Sequence, residues 1–300
     1  MWLKEPAKIN DNIHFLGTHE LCFYLVRGEE GLIVGCGMNH ATPALEGQFR
    51  ELGIGPGDVK YAVVTHSHFD HCGAVPYLRD RFPGIQILGT GAAAEALGKQ
   101  KIADYNAKMN DVAAEQLGVA DRCLAVAERA DALAIDRVIG TGDSIDLGAG
   151  VKAQFYAVPG HSKCCVATYI PKFKALFPTD TTPHPIGEWT DLTYPSAQFD
   201  FATYVESLKR LNEFDVDILG LDHHGVLLNE QAGEFLRMGL KRTLEFREQV
   251  LSWYAEMNDV DEVARVAAAE ALQKVKLPFI KEDLMFIITR AMIRNIIAAG

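Results

Sequence analysis

The chain has 300 residues, 48% of them apolar and 23% charged, with a net charge of −11. Such a balance suits a globular core with an appendage and argues against a phosphate-tracking nucleic-acid binder, which carries a basic face. Six cysteines form no C-x-x-C pair, the N-terminus lacks the apolar centre of a signal peptide, and no long uncharged apolar run is present. A zinc ribbon, a secretory leader and a membrane span are therefore not expected, and a reducing cytoplasm is the expected compartment.

In chain order, apolar runs at 13–16, 21–26 and 31–34 read as strands between glycines and charged turns. Thr42-Pro43 opens a helix with Thr42 as its cap. Residues 60–64 form a buried strand, 73–82 a helix and 85–88 the next strand. Residues 91–134 are rich in Ala, Glu, Lys and Gln and read as a helical insertion. Strands resume at 137–139, 144–147, 151–158, 165–170 and 175–177; a helix at 201–214 precedes a last strand at 216–219. From 230 onward the pattern is helical, with segments at 234–253, 260–275 and 284–297. The expected organisation is an α/β core over 1–229 and a helical C-terminal extension over 230–300 that covers the site or forms an interface.

The chemistry concentrates in T-H-S-H-F-D-H-C-G at 65–73. His66 and His68 stand two apart where a strand ends, so both rings can aim to one side. Asp70 and His71 follow after a change of direction. Imidazole and carboxylate together suit Zn, Fe or Mn, and chance rarely packs H-x-H-x-D-H so tightly. His161, Asp180 and the pair His223-His224 each follow a later strand, on loops that rigid elements can aim.

This ordered set resembles the metallo-β-lactamase-fold hydrolases, over residues 10–228. The resemblance implies an αββα sandwich with the site at one edge of two sheets. It implies two divalent cations, one on His66, His68 and His161, the other on Asp70, His71 and His224, with Asp180 bridging. His223 rivals His224, which is preferred because the family ligand immediately precedes a glycine, here Gly225. A departure is the turn Val34-Gly35-Cys36-Gly37, where many members carry a supporting aspartate. A hydroxide bridging the two ions is the implied nucleophile, with Asp70 and Asp180 as catalytic residues that orient it or pass its proton. Cys72, Cys164 and Cys165 are expected to face the core.

Within that superfamily the chain looks like the quinolone-signal-response thioesterases and glyoxalase II, which pair this ligand set with helical covers. The resemblance favours a small-molecule acyl substrate, a thioester or similarly activated bond, with lactonase or phosphodiesterase activity as neighbours. His184 and Tyr194 are the candidate substrate-binding residues, Tyr194 as an oxyanion donor. Two alternatives are an iron enzyme acting on O2 or a persulfide, and a regulatory binding protein with incidental hydrolysis. The flavodiiron reductases share the core but usually carry Glu where His68 stands. The apolar segment 284–297 is expected to pack against the sandwich, with an acyl-pocket wall or a homodimer face as the alternative. No nucleic acid or membrane partner is expected.

Overall fold

The computed structural model describes residues 1–126, 131–274 and 279–299. The chain opens with β1 (Trp2–Leu3), then lays down β2 (Ala7–Lys8), β3 (Ile13–Gly17), β4 (Cys22–Arg27) and β5 (Gly31–Val34). Helix α1 (Thr42–Glu51) leads to β6 (Val59–Val63) and α2 (Val75–Arg81) to β7 (Gln86–Gly89); α3 (Gly91–Leu97) and α4 (Gln100–Gln116) lead to β8 (Arg137–Val138). Next come β9 (Ser144–Asp146), β10 (Lys152–Ala157), β11 (Val166–Ile170), β12 (Ala175–Phe177) and α5 (Phe201–Leu211). The chain then forms β13 (Ile218–Gly220), β14 (Val226–Leu228), α6 (Glu230–Met257), α7 (Val260–Lys274) and α8 (Glu282–Ala298).

Two seven-stranded sheets result, ordered β2-β3-β4-β5-β6-β7-β8 and β1-β14-β13-β12-β11-β10-β9. Their inner faces share one core, in which Phe15, Tyr24 and Val63 meet Phe155, Phe177 and Val226. The outer face of the first sheet packs on Leu45 and Phe49 of α1 and Leu78 of α2. The outer face of the second packs on Leu211 of α5 and Phe235 and Leu236 of α6. Being covered on both sides, β3, β4 and β5 read as continuous apolar runs rather than alternating ones. The architecture is the expected αββα sandwich followed by a helical C-terminal region.

Strand direction places the site. β6 runs parallel to β5 and β7. β12 runs parallel to β13, and β10 and β12 are each antiparallel to β11, so β10, β12 and β13 point one way. The loops leaving these four strands carry every candidate ligand. At this edge the Val166 N–H donates to the Thr65 carbonyl at 2.9 Å, tying one sheet to the other.

The structure differs from the sequence reading in three places. β1, β2 and β14 were not expected: two or three residues carry no periodicity, and pairing such as Trp2 opposite Leu227 makes them strands. Thr42 is the first residue of α1, after Ala41 as cap, and its hydroxyl donates to the Asn39 carbonyl at 2.7 Å. The insertion is helical only to Gln116, because Gly118 takes φ of 66° just past the helix end and stops it. Within the rest of 91–134 only Ala120–Arg122 forms a short turn of helix, and 127–130 lie outside the described residues. The C-terminal region forms the three expected helical segments, with Asn258 at φ of 51° between the first two; the expected helix end at Val275 lies outside the described residues.

Candidate metal centre

The loop after β6 delivers the first ligands. His66 Nε2 lies 3.1 Å from His68 Nδ1, and His161 Nε2, on the loop after β10, lies 3.1 and 3.0 Å from them. Three ring nitrogens this close to one another point at one centre, and a zinc-sized ion with bonds of about 2.0–2.1 Å fits such a tripod. Burial drives His66 well below the usual histidine range and His68 to about 3, with help from neighbouring rings. Both are therefore neutral at pH 7, the form that ligates.

A second group forms beside it. His71 Nε2 lies 3.5 Å from Asp70 Oδ2 and 3.2 Å from His223 Nε2. Between the groups stands Asp180. Its Oδ2 is 3.3 Å from His71 and 3.4 Å from His161, and its Oδ1 is 3.8 Å from His223. Thr179, with φ of 55° where a β-branched residue is rarely found, turns the chain so that Asp180 enters. Asp180 Oδ1 is buried and lies 3.3 Å from His184 Nε2. Burial pushes the Asp180 carboxyl up, but His71, His223 and His184 outweigh it and hold the group well below the carboxylate range. A buried ionised carboxylate between two nitrogen-rich groups fits a pair of divalent cations.

Supporting bonds fix the rings. His161 Nδ1–H donates to the Ser196 carbonyl at 2.7 Å and His223 Nδ1–H to the Glu20 carbonyl at 2.5 Å, so both present Nε2 to the centre. His71 Nδ1 lies 3.0 Å from Asp222 Oδ2, which also accepts from the Thr65 hydroxyl at 2.7 Å. Burial alone would lower His71, but Asp70, Asp180 and Asp222 carry it well above the ordinary value. Asp222 escaped the sequence reading, although it adjoins the ligand pair in L-D-H-H-G. It gives His71 carboxylate support from the loop after β13, and the carboxylate-free turn at Gly35-Cys36 instead buries Cys36 against the Val63 carbonyl.

The expectation for His224 is corrected. His224 takes φ of 68° and Gly225 φ of 93°. That left-handed turn sends His223 inward and His224 away. The His224 N–H donates to the His19 carbonyl at 2.7 Å, and its Nδ1 lies 3.3 Å from His19 Nε2. Adjacent side chains diverge, and the turn, not proximity to glycine, selects the one that enters. No thiol joins the groups among the described residues: the Cys72 S–H donates to the His68 carbonyl at 3.2 Å, and burial pushes this thiol up to about 12.

His184 stands with the cluster, its Nε2 3.3 Å from Asp180 Oδ1. Tyr194 is at the wall of the adjoining cavity, but its hydroxyl donates to Glu270 and its ring stacks on Phe246 at 4.0 Å. Its hydroxyl is thus committed, which removes the oxyanion role. Asn110 of α4 clamps the metal loop: its Nδ2 donates to the Phe69 carbonyl at 3.1 Å and its Oδ1 accepts from the Asn39 N–H at 2.9 Å. Gly73 leaves room for this clamp, since a Cβ there would lie 2.1 Å from Asn110 Oδ1. The centre opens into a cavity of about 400 Å³, walled by Ile102 and Tyr105 of α4 and Met285, Ile288 and Met292 of α8.

This fold has known counterparts. Residues 17–223 match the family model described as the metallo-beta-lactamase superfamily. The chain belongs to the metallo-β-lactamase superfamily. Its members are typically dinuclear metal-dependent hydrolases, and the His/Asp groups fit that metal site. The chain is 27% identical over 184 residues to the metallo-beta-lactamase fold-containing protein ST1585 of Sulfurisphaera tokodaii, covering 61% of this chain and 67% of that one. The solved structure of ST1585 superposes with a TM-score of 0.55 at 20% identity, covering 78% of this chain and 86% of the other. A metallo-β-lactamase of Cronobacter sakazakii superposes at 0.59 with 17% identity, over 84% and 99%. The anaerobic nitric oxide reductase flavorubredoxin of Salmonella typhi is 21% identical over 272 residues, 84% of this chain; the chain spans 50% of that protein. At such identities the superpositions establish the fold alone.

Proposed function

We propose that this member of the superfamily is a metal-dependent hydrolase of a thioester or related activated acyl bond on a small apolar substrate. The observation that carries this reading is the continuity of the His/Asp centre with a cavity whose far wall is the apolar side of α8 and α4. Two divalent cations held by His66, His68 and His161 and by Asp70, His71 and His223, with Asp180 between, would acidify water and polarise an acyl carbonyl.

The chain's own residues do the rest. The apolar wall binds the acyl body and excludes bulk water from the reacting carbonyl. Asp70 lines the cavity and accepts a hydrogen bond from the attacking water; burial pushes its carboxyl up, but His71 and His223 outweigh that and keep it ionised. His184 holds the free oxygen of Asp180 and fixes that carboxylate's orientation. The water oxygen joins the acyl carbon, the carbon–sulfur bond breaks with its electron pair on sulfur, and the thiol keeps one proton while the acid releases the other.

Purified protein should contain about two divalent cations per chain and hydrolyse medium-chain acyl thioesters. His68→Ala or Asp180→Ala should lower kcat by at least about a thousandfold with the circular dichroism spectrum unchanged. Unchanged turnover in either variant would end this reading. The similarity to a nitric oxide reductase supports redox chemistry as a second one, its proposed form being an iron enzyme acting on O2 or a persulfide. A colourless zinc protein with full thioesterase activity after anaerobic purification would dispose of it.

A further inference from the structure

We infer that the substrate's acyl portion carries one neutral oxygen, a carbonyl or hydroxyl, that accepts a hydrogen bond from Asn106; this rests on the acyl-hydrolase reading above. Asn106 lies on α4, lines the cavity and is 2% exposed. Its Nδ2 is buried with no hydrogen-bond partner. Its backbone carbonyl is already taken by Asn110 Nδ2 at 2.9 Å, so the side-chain amide is what the helix leaves over.

Several other polar side chains around the cavity are committed. Ser67 Oγ lies 3.3 Å from Cys164 Sγ, Thr193 Oγ1 accepts from the His184 N–H at 2.9 Å, and Gln198 Nε2 donates to Ser196 Oγ at 2.9 Å. Tyr194 donates to Glu270. Asp180 Oδ1 and His184 Nε2, also in the lining, face each other at 3.3 Å. Among the described residues the lining holds no Lys or Arg, so nothing on the wall matches a phosphate or a carboxylate of the acyl body. A buried unpaired donor is costly. A ligand oxygen placed on it recovers that cost, whereas a methylene there leaves it unpaired. Sites of this kind discriminate more sharply than apolar pockets do.

The test uses hydrolysis-inert alkyl thioethers of one chain length, one plain and the others bearing a single ketone at successive carbons. Their Kd values for the metal-loaded protein are read by titration calorimetry. At one position the ketone should bind about ten-fold tighter than the plain chain. Asn106→Leu and Asn106→Asp, the second of similar size but without the donor, should both erase that preference. Asn106→Leu should keep the plain-chain Kd within about three-fold, which also reports a folded cavity. The inference is overturned if no ketone outbinds the plain chain, if neither class binds, or if the preference survives both substitutions. Turnover of the plain acyl thioester separates the two readings. Hydrolysis without ketone preference sinks this inference alone, and ketone preference without hydrolysis sinks only the proposed reaction.

Discussion

His223 and His224 are chain neighbours in opposite environments. One offers Nε2 to His71 and Asp180, with its Nδ1–H held by the Glu20 carbonyl; the other leans on His19 outside the groups. His223→Ala should therefore reduce bound metal from about two ions per chain to about one after dialysis, because it strips a ligand from the group of Asp70 and His71. His224→Ala should retain both ions. Inductively coupled plasma mass spectrometry on the two variants decides the matter, and the reverse pattern would restore His224 as the ligand. The contrast also marks what a sequence can say at this scale. Ligand types and spacing announced the centre at His66, His68, Asp70 and His71, since chemistry alone crowds such residues together. The direction of a side chain at a left-handed turn depends on backbone angles, and Asp222 becomes informative only when Thr65 and His71 arrive beside it from another loop.

At the scale of elements, the buried strands were readable because burial on two faces demands unbroken apolar runs, while β1 and β14 are too short to read and are fixed by pairing, β1 with β14 and β14 also with β13. The helical insertion was overread because Ala-rich composition does not show where Gly118 ends α4. Helix α5 illustrates how an element supports the centre without touching a ligand's ring. The Asp200 side chain accepts from the Thr203 N–H at 2.7 Å and caps the helix. The Asp200 N–H in turn donates to the Gly160 carbonyl at 3.1 Å, next to His161. A Cβ on Gly160 would lie 2.3 Å from Tyr204 Cα, so loop and helix are in direct contact. Asp200→Ala should cost about 1 kcal/mol of unfolding free energy at pH 7. The hydrogen bonds from Thr203 hold the Asp200 carboxyl below its ordinary 3.8. A depressed folded-state value means that its stabilisation is present above 3.8 and is lost as the pH falls through the folded-state value. The gap between wild type and variant should therefore be constant from pH 8 to about 5 and narrow only in more acidic solution. Urea titrations across that range measure it; a gap that widened in acid would contradict the cap.

At the scale of the whole molecule, the centre is where the two sheets, the insertion and the C-terminal helices meet. The loops after β6 and β10 converge on the first nitrogen group, those after β6, β12 and β13 on the second, and the tail closes the cavity. The tail is not loosely attached. Phe246 and Val250 of α6, Ala264 of α7 and Met292 and Ile293 of α8 share a core with Phe201 and Tyr204 of α5. Stripping the cations should therefore act on the whole fold at once. Ligands that bind only the folded chain add RT ln(1 + [L]/Kd), about 2.7 kcal/mol when free metal stands at a hundred times Kd. In a chain of this size that corresponds to a fall in Tm on chelation of roughly 5–10 °C. The transition should stay single, because α5 links the tail core to the His161 loop through the Ser207 hydroxyl, which donates to the Pro159 carbonyl at 2.6 Å. Differential scanning calorimetry with and without a chelator tests this. An unchanged Tm would mean that the converging loops hold no metal, and a split transition would mean that the tail unfolds independently of the sandwich.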